Sequence, residues 1–181
     1  MSGAAAGFDE ELSGAQLRIG IVQARFNAHI GDRLRDGCIA ELLRLGVAED
    51  DIEVVLVPGA LEAPLALQAM ARTDGFDALV AIGCVMRGET YHFELVCNES
   101  ARGVAQVQLE HRIPIANAIL TVENEAQAQA RLSKGVEARW QIPAGPPVRG
   151  TGPQEAGRGR RSGRHRRWSR RESAPSPCSG R

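Results

Sequence analysis

The sequence predicts an α/β fold: a flavodoxin-like three-layer sandwich with a parallel four-stranded sheet and helices on both faces. Short Val/Ile/Leu-rich runs alternate along the chain with longer segments whose apolar residues recur at helical spacing. Strands alternating with helices argue for a parallel sheet covered on both sides. Right-handed crossovers then leave few topologies, with the flavodoxin-like one leading. At 181 residues and 43% hydrophobic content, the chain is long enough for one ordinary domain with a full core.

Met1–Gln16 is small, polar and acidic and reads as a mobile arm. Leu17–Ala24 is the first strand, broken by Arg25-Phe26-Asn27. Ile30–Leu45 has apolar residues at Ile30, Leu34, Cys38, Leu42 and Leu45, a helical spacing, and Gly46 is a natural stop. Ile52–Val57 is the second strand, ended by Pro58-Gly59. Leu61–Arg72 follows as a helix, with Glu62 and Pro64 both suited to its first turn. Ala78–Gly83 is a buried third strand, running through the loop Cys84–Thr90 into a helix from Tyr91 towards Glu110. Pro114 precedes a fourth strand, Ile115–Thr121, and Asn124–Leu132 is a short helix with Asn124 as N-cap.

No apolar run approaches the ~18 residues of a membrane span. The first residues lack a basic region followed by an apolar stretch, so no secretory signal is expected. Cys38, Cys84, Cys97 and Cys178 form no CxxC pair and no metal-like spacing with histidine, which points to reduced thiols in the cytoplasm and to no metal site. The net charge of zero hides two unlike parts. Arg139–Arg181 carries eleven basic residues against Glu155 and Glu172, whereas Met1–Ala138 holds eleven basic and twenty acidic ones.

Ligands of open parallel sheets bind beyond the carboxyl ends of the strands. The loops expected there are Arg25–His29, Pro58–Glu62 and Cys84–His92. The last enters a helix, where free N–H groups and the positive end of the helix dipole suit a phosphate, and His92 beside it can move protons near neutral pH.

Three segments, Ala24-Arg25-Phe26-Asn27, Val57–Pro64 and Ala81–Phe93, resemble the lumazine synthase family. Ile119–Asn124, Gln127-Ala128 and Arg131 continue the match, and Lys134–Ala138 is similar to the start of the family's last helix. The resemblance covers about residues 17–138. It implies condensation of 5-amino-6-(D-ribitylamino)uracil with 3,4-dihydroxy-2-butanone 4-phosphate, giving 6,7-dimethyl-8-ribityllumazine, phosphate and water. It further implies no cofactor and no metal. The implied partners are copies of the chain, in pentamers or their multiples with active sites between subunits, and riboflavin synthase.

By the same resemblance, Phe26 stacks on the pyrimidine, as offset stacking of a flat heteroaromatic favours. Asn27, Ala60, Leu61 and Glu62 hold the pyrimidine and ribityl chain, a polyol that calls for donors and acceptors together. Cys84, Val85 and Met86 line the pyrimidine site, with main-chain contacts foremost and Cys84 as core rather than nucleophile. Gly88, Glu89 and Thr90 bind phosphate, joined by Arg131 from the adjacent subunit. His92 transfers protons. His29 reads as a surface histidine.

Two departures stand out. Many family members have a phenylalanine where this chain has Asn117, so two-sided stacking is not expected here. After Ala138 the family's amphipathic helix gives way to a Pro/Gly-rich and then Arg-rich tail. An altered reading frame near residue 139 is the favoured account, and sequencing the coding region would decide it. Two further readings stay open at this stage. One is a non-catalytic flavin- or lumazine-binding protein, distinguished by binding without turnover. The other is an assembly-defective or nucleic-acid-binding variant governed by the basic tail, for which salt-sensitive DNA binding would speak.

Overall fold

The computed structural model describes residues 13–137. The expected arm up to residue 12 and the tail from 138, with its predicted disorder, nucleic-acid binding and changed frame, lie outside the described residues. Four strands, β1 (Ile19–Ala24), β2 (Ile52–Val57), β3 (Ala78–Met86) and β4 (Ile115–Val122), alternate with four helices. These are α1 (Ala28–Arg44), α2 (Ala63–Ala71), α3 (His92–His111) and α4 (Glu125–Glu137). The sheet is wholly parallel in the order β2-β1-β3-β4. The predicted fold class therefore holds.

Side-chain alternation along the strands builds two cores, one on each face. Ile19 and Ile21 of β1 and Val80, Ile82 and Cys84 of β3 pack with Ile30, Leu34, Leu42, Ala128 and Leu132 from α1 and α4. On the opposite face, Val22, Leu79 and Ala81 meet Leu67 and Met70 of α2 and Val104 and Val107 of α3. The one polar side chain buried within the strands, Gln23, is satisfied by α1. Its Nε2 donates to Asp32 Oδ1 at 2.8 Å, and its Oε1 accepts from Arg35 Nη1 at 3.2 Å. Leaving either group unpaired would cost about 1–3 kcal/mol, so this pair of contacts pins α1 to the sheet.

Several boundaries differ from the sequence reading. Residues 13–16 are held rather than free: the Gly14 N–H donates to the Leu45 carbonyl at 2.7 Å, and Gly14 is buried. Leu17 and Arg18 precede β1 and are exposed; the Arg18 N–H donates to Asp77 Oδ2 at 2.8 Å. The second helix begins as a single 3₁₀ turn, Ala60–Glu62, and becomes α-helical at Ala63 with Pro64 in its first turn. β3 runs three residues beyond Gly83, through Met86, because β4 keeps pairing with it as far as Val122. Cys84, Val85 and Met86 are therefore strand and not loop.

Helices α2 and α3 approach closely at Gly103. A Cβ there would lie 2.6 Å from Cγ and 2.8 Å from Cβ of Pro64. The proline ring has no rotamer by which to withdraw. Gly103→Ala is expected to force α2 and α3 apart at about 1–3 kcal/mol, offset by roughly 1 kcal/mol of helix propensity. A urea midpoint lowered in that variant is the expected result, and a raised midpoint would show that the helices separate freely.

Candidate active site

The strand order places the topological switch between β1 and β3, since the chain passes from β1 outwards to β2 and then to β3 on β1's other side. The loops leaving these three strands are bonded to one another at their carboxyl ends. The Arg25 N–H donates to the Val57 carbonyl at 2.9 Å, and the Phe26 N–H donates to the Pro58 carbonyl at 3.2 Å. Asn27 adopts a left-handed conformation (φ 56°, ψ 46°), which asparagine tolerates better than most residues. Its Nδ2 donates to the Cys84 carbonyl at 2.9 Å, so it joins the first loop to the end of β3 instead of capping α1 with its side chain. Beneath this junction a Cβ on Gly83 would come within 3.1 Å of the Ala24 Cβ.

Phe26 is held by its backbone, yet the residue remains 73% exposed. An aromatic kept in water by a bonded main chain is available to stack on a flat ligand. In the second loop Ala60 is buried, while Leu61 and Glu62 are exposed. The Glu62 carboxylate folds back over Gly59: its Oε2 lies 3.1 Å from where a Gly59 Cβ would stand. A side chain at residue 59 would push that carboxylate aside.

The third loop follows β3. The side chain of Cys84 points into the core on the α1–α4 face, as expected of a core cysteine rather than a nucleophile. Burial, then the negative charge of Glu125, push its thiol up to about 11, which makes it a poor nucleophile near neutral pH. Its contribution at the surface is the carbonyl that Asn27 holds. Val85 and Met86 are half-buried, and Met86 packs on the same core as Cys84. Gly88, Glu89, Thr90, Tyr91 and His92 are all exposed. Among the described residues, the main-chain N–H groups of Gly88, Glu89, Thr90 and Tyr91 have no acceptor, and α3 starts immediately afterwards. Free donors at the start of a 20-residue helix form an anion-binding geometry.

Arg87 opens this loop but is committed to carboxylates. Its Nε donates to Glu123 Oε2 at 2.6 Å, its Nη1 donates to Glu94 Oε1, and its guanidinium lies 4.2 Å from the centroid of the Phe93 ring. The hydrogen bond from Arg87 holds Glu94 below the usual carboxylate range. A carboxylate lowered in this way stabilises the fold above its ordinary pKa, and that stabilisation is lost as the pH falls through the lowered value. Sequence reading did not find this cluster, because Arg87 and Glu123 are 36 positions apart.

Two expected residues lie elsewhere. Asn117 pairs with Ala81 in mid-sheet on the edge strand β4, is exposed, and accepts the Ile119 N–H on its Oδ1 at 3.1 Å. Arg131 is exposed on α4, where it lines a groove of about 340 Å³ with Thr121, Val122, Gln127 and Ala130. His29 lies at the surface, with both oxygens of Glu125 at 3.1 Å from its Nε2. Among the described residues no helix is long and apolar enough to cross a membrane.

The family model described as 6,7-dimethyl-8-ribityllumazine synthase matches residues 16–141. A 6,7-dimethyl-8-ribityllumazine synthase of Methylibium petroleiphilum is 66% identical over 129 residues, which are 71% of this chain and 81% of the relative. Proteins of the same name from an Acidovorax species and from Leptothrix cholodnii are each 60% identical over 139 residues, covering 76% of this chain and 90% of theirs. The matched span contains all four strands and all four helices, together with every loop that meets at the β1–β3 switch. On this evidence, the chain belongs to the 6,7-dimethyl-8-ribityllumazine synthase family.

Proposed function

We propose that the chain condenses 5-amino-6-(D-ribitylamino)uracil with 3,4-dihydroxy-2-butanone 4-phosphate to form 6,7-dimethyl-8-ribityllumazine, phosphate and water. The exposed Phe26 ring, set on a loop bonded to its neighbours at the strand switch, carries the reading: it offers a face for the pyrimidine. The backbone of Val85 and Met86 and the loop Ala60–Glu62 lie alongside, with the Glu62 carboxylate and main-chain groups suited to ribityl hydroxyls. The free N–H groups of Gly88–Thr90 and the Thr90 hydroxyl take the phosphate. Glu89 contributes only its main chain, because its carboxylate would repel the dianion.

Chemistry follows from that placement. The pyrimidine amine attacks the ketone carbonyl, the carbinolamine loses a first water, phosphate departs to leave an enol that becomes a new carbonyl, and the second nitrogen attacks that carbonyl and closes the ring with loss of a second water. Each step moves a proton, and His92, one residue beyond the free N–H groups, supplies and accepts them. Holding the two substrates together removes much of the entropic barrier of a bimolecular condensation.

The site is completed by a neighbour. One subunit leaves Phe26 and Tyr91 more than 70% exposed, and Leu56, Leu65 and Leu109 more than half exposed, a surface suited to association. Arg131 and Asn117, both on the β4–α4 side, serve the adjoining copy's site in a closed ring of pentameric type. Cys38, Cys84 and Cys97 are free thiols, in keeping with a reducing cytoplasm, where riboflavin synthase consumes the product.

Subunit mixing tests this reading. His92→Ala and Arg131→Ala are each expected to abolish most activity alone. Unfolding both, mixing them equally and refolding is expected to restore about a quarter of the sites, because some then receive both intact residues from different chains. No recovery from mixtures that do reassemble would place Arg131 and His92 in the same subunit's site.

A further inference from the structure

Arg87 is the cation nearest in sequence to the phosphate turn, yet its bonds point away from that role. Its N–H donates to the Val122 carbonyl at 2.9 Å, and its side chain reaches Glu123 at the end of β4 and Glu94 in the first turn of α3. A guanidinium between two carboxylates forms a cluster of net negative charge, which repels a phosphate dianion. Among the described residues the N–H groups from Gly88 to Tyr91 have no acceptor, so the turn's own hydrogen bonds are those its Thr90 and Tyr91 carbonyls accept from the N–H groups of Phe93 at 3.5 Å and Leu95 at 3.3 Å. Arg87 and Glu94 bracket it, seven positions apart, and their bond closes it like a clasp. Glu94 Oε2 is buried and has no hydrogen-bond partner among the described residues, so that carboxylate depends on Arg87 for compensation.

We propose that Arg87 is a positioning residue that does not ligate phosphate but holds the turn Gly88–Thr90, and with it His92, against the end of β4. The proposal rests on the reading of Gly88–Thr90 as the phosphate turn. The clasp extends further: the Glu123 N–H donates to Gln127 Oε1 at 2.9 Å, and Gln127 shares its groove with Arg131. One arginine thus orders both the turn that this subunit uses and the start of the helix bearing Arg131.

The decisive measurement is a sign. Glu123→Gln removes a negative charge near the turn, so simple electrostatics lowers KM for the phosphate-bearing substrate. Loss of the clasp raises it instead, by an expected factor of about three to ten, with KM for the pyrimidine changing less than twofold. A lowered or unchanged KM for the phosphate-bearing substrate overturns the proposal. Arg87→Lys keeps the charge but lacks the fork that spans two carboxylates, and is expected to behave like Glu123→Gln. Wild-type kinetics in Arg87→Lys also overturns it. Thr90→Val, measured in parallel, tests the underlying reading: if its KM for the phosphate-bearing substrate is unchanged, the turn does not bind phosphate, whatever Glu123→Gln shows.

Discussion

His92→Ala is expected to lower kcat by about 10²–10⁴-fold, the usual contribution of a well-placed acid–base group. The side chain is exposed, opens α3, and is not hydrogen-bonded to another described residue, so no part of the core depends on it. Assembly and thermal midpoint are therefore expected to stay near wild type, measured by sedimentation and by melting. KM for both substrates should move little, because the residues proposed to bind them, Phe26, Ala60–Glu62 and Gly88–Thr90, remain. That pattern separates proton transfer from positioning: an interaction made only in the transition state lowers kcat and kcat/KM together. An unchanged kcat would remove His92 from the mechanism.

Ile82→Ala is expected to cost about 2–5 kcal/mol of subunit stability, the range for emptying a fully buried aliphatic site. Ile82 is 0% exposed and lies in β3, which hydrogen-bonds to β1 on one side and β4 on the other. Its neighbours in register are Gln23 and Ala118, and it packs in the core that α1 and α4 cover. Strands on both sides limit collapse into the void, which favours the upper part of that range. Two positions on, the same strand presents the Cys84 carbonyl to Asn27. The substitution is thus expected to weaken binding as well as folding. Denaturant unfolding checks the first effect and pyrimidine KM the second; a loss below about 1 kcal/mol would mean that the sheet relaxes around the cavity.

Much of this molecule was legible in its residues. Alternation of Val/Ile/Leu runs with helical spacing specified the α/β class, because burial on two faces demands that pattern. Loops such as Arg25–His29 and Cys84–His92 stood out by chemistry, and the order of their motifs matched a known family. Local sequence also pointed to the carboxyl-end edge as the proposed site, since every strand in a parallel sheet ends on the same edge.

Other features depended on residues far apart in the chain. The order β2-β1-β3-β4, which selects the β1–β3 switch, comes from crossovers that no single segment encodes. The reach of β3 to Met86 required β4 as a partner, and the resulting strand parity turned Cys84 into the core. Asn27 meets Cys84 across 57 positions, and Arg87 meets Glu123 across 36. Local periodicity reports which face a residue prefers, whereas hydrogen bonds and ion pairs between elements exist only after the sheet is assembled. The sequence by itself therefore determined the fold class and the loops proposed to carry the chemistry. Tertiary structure decided which arginine is bound up in carboxylates and how the loops are held together.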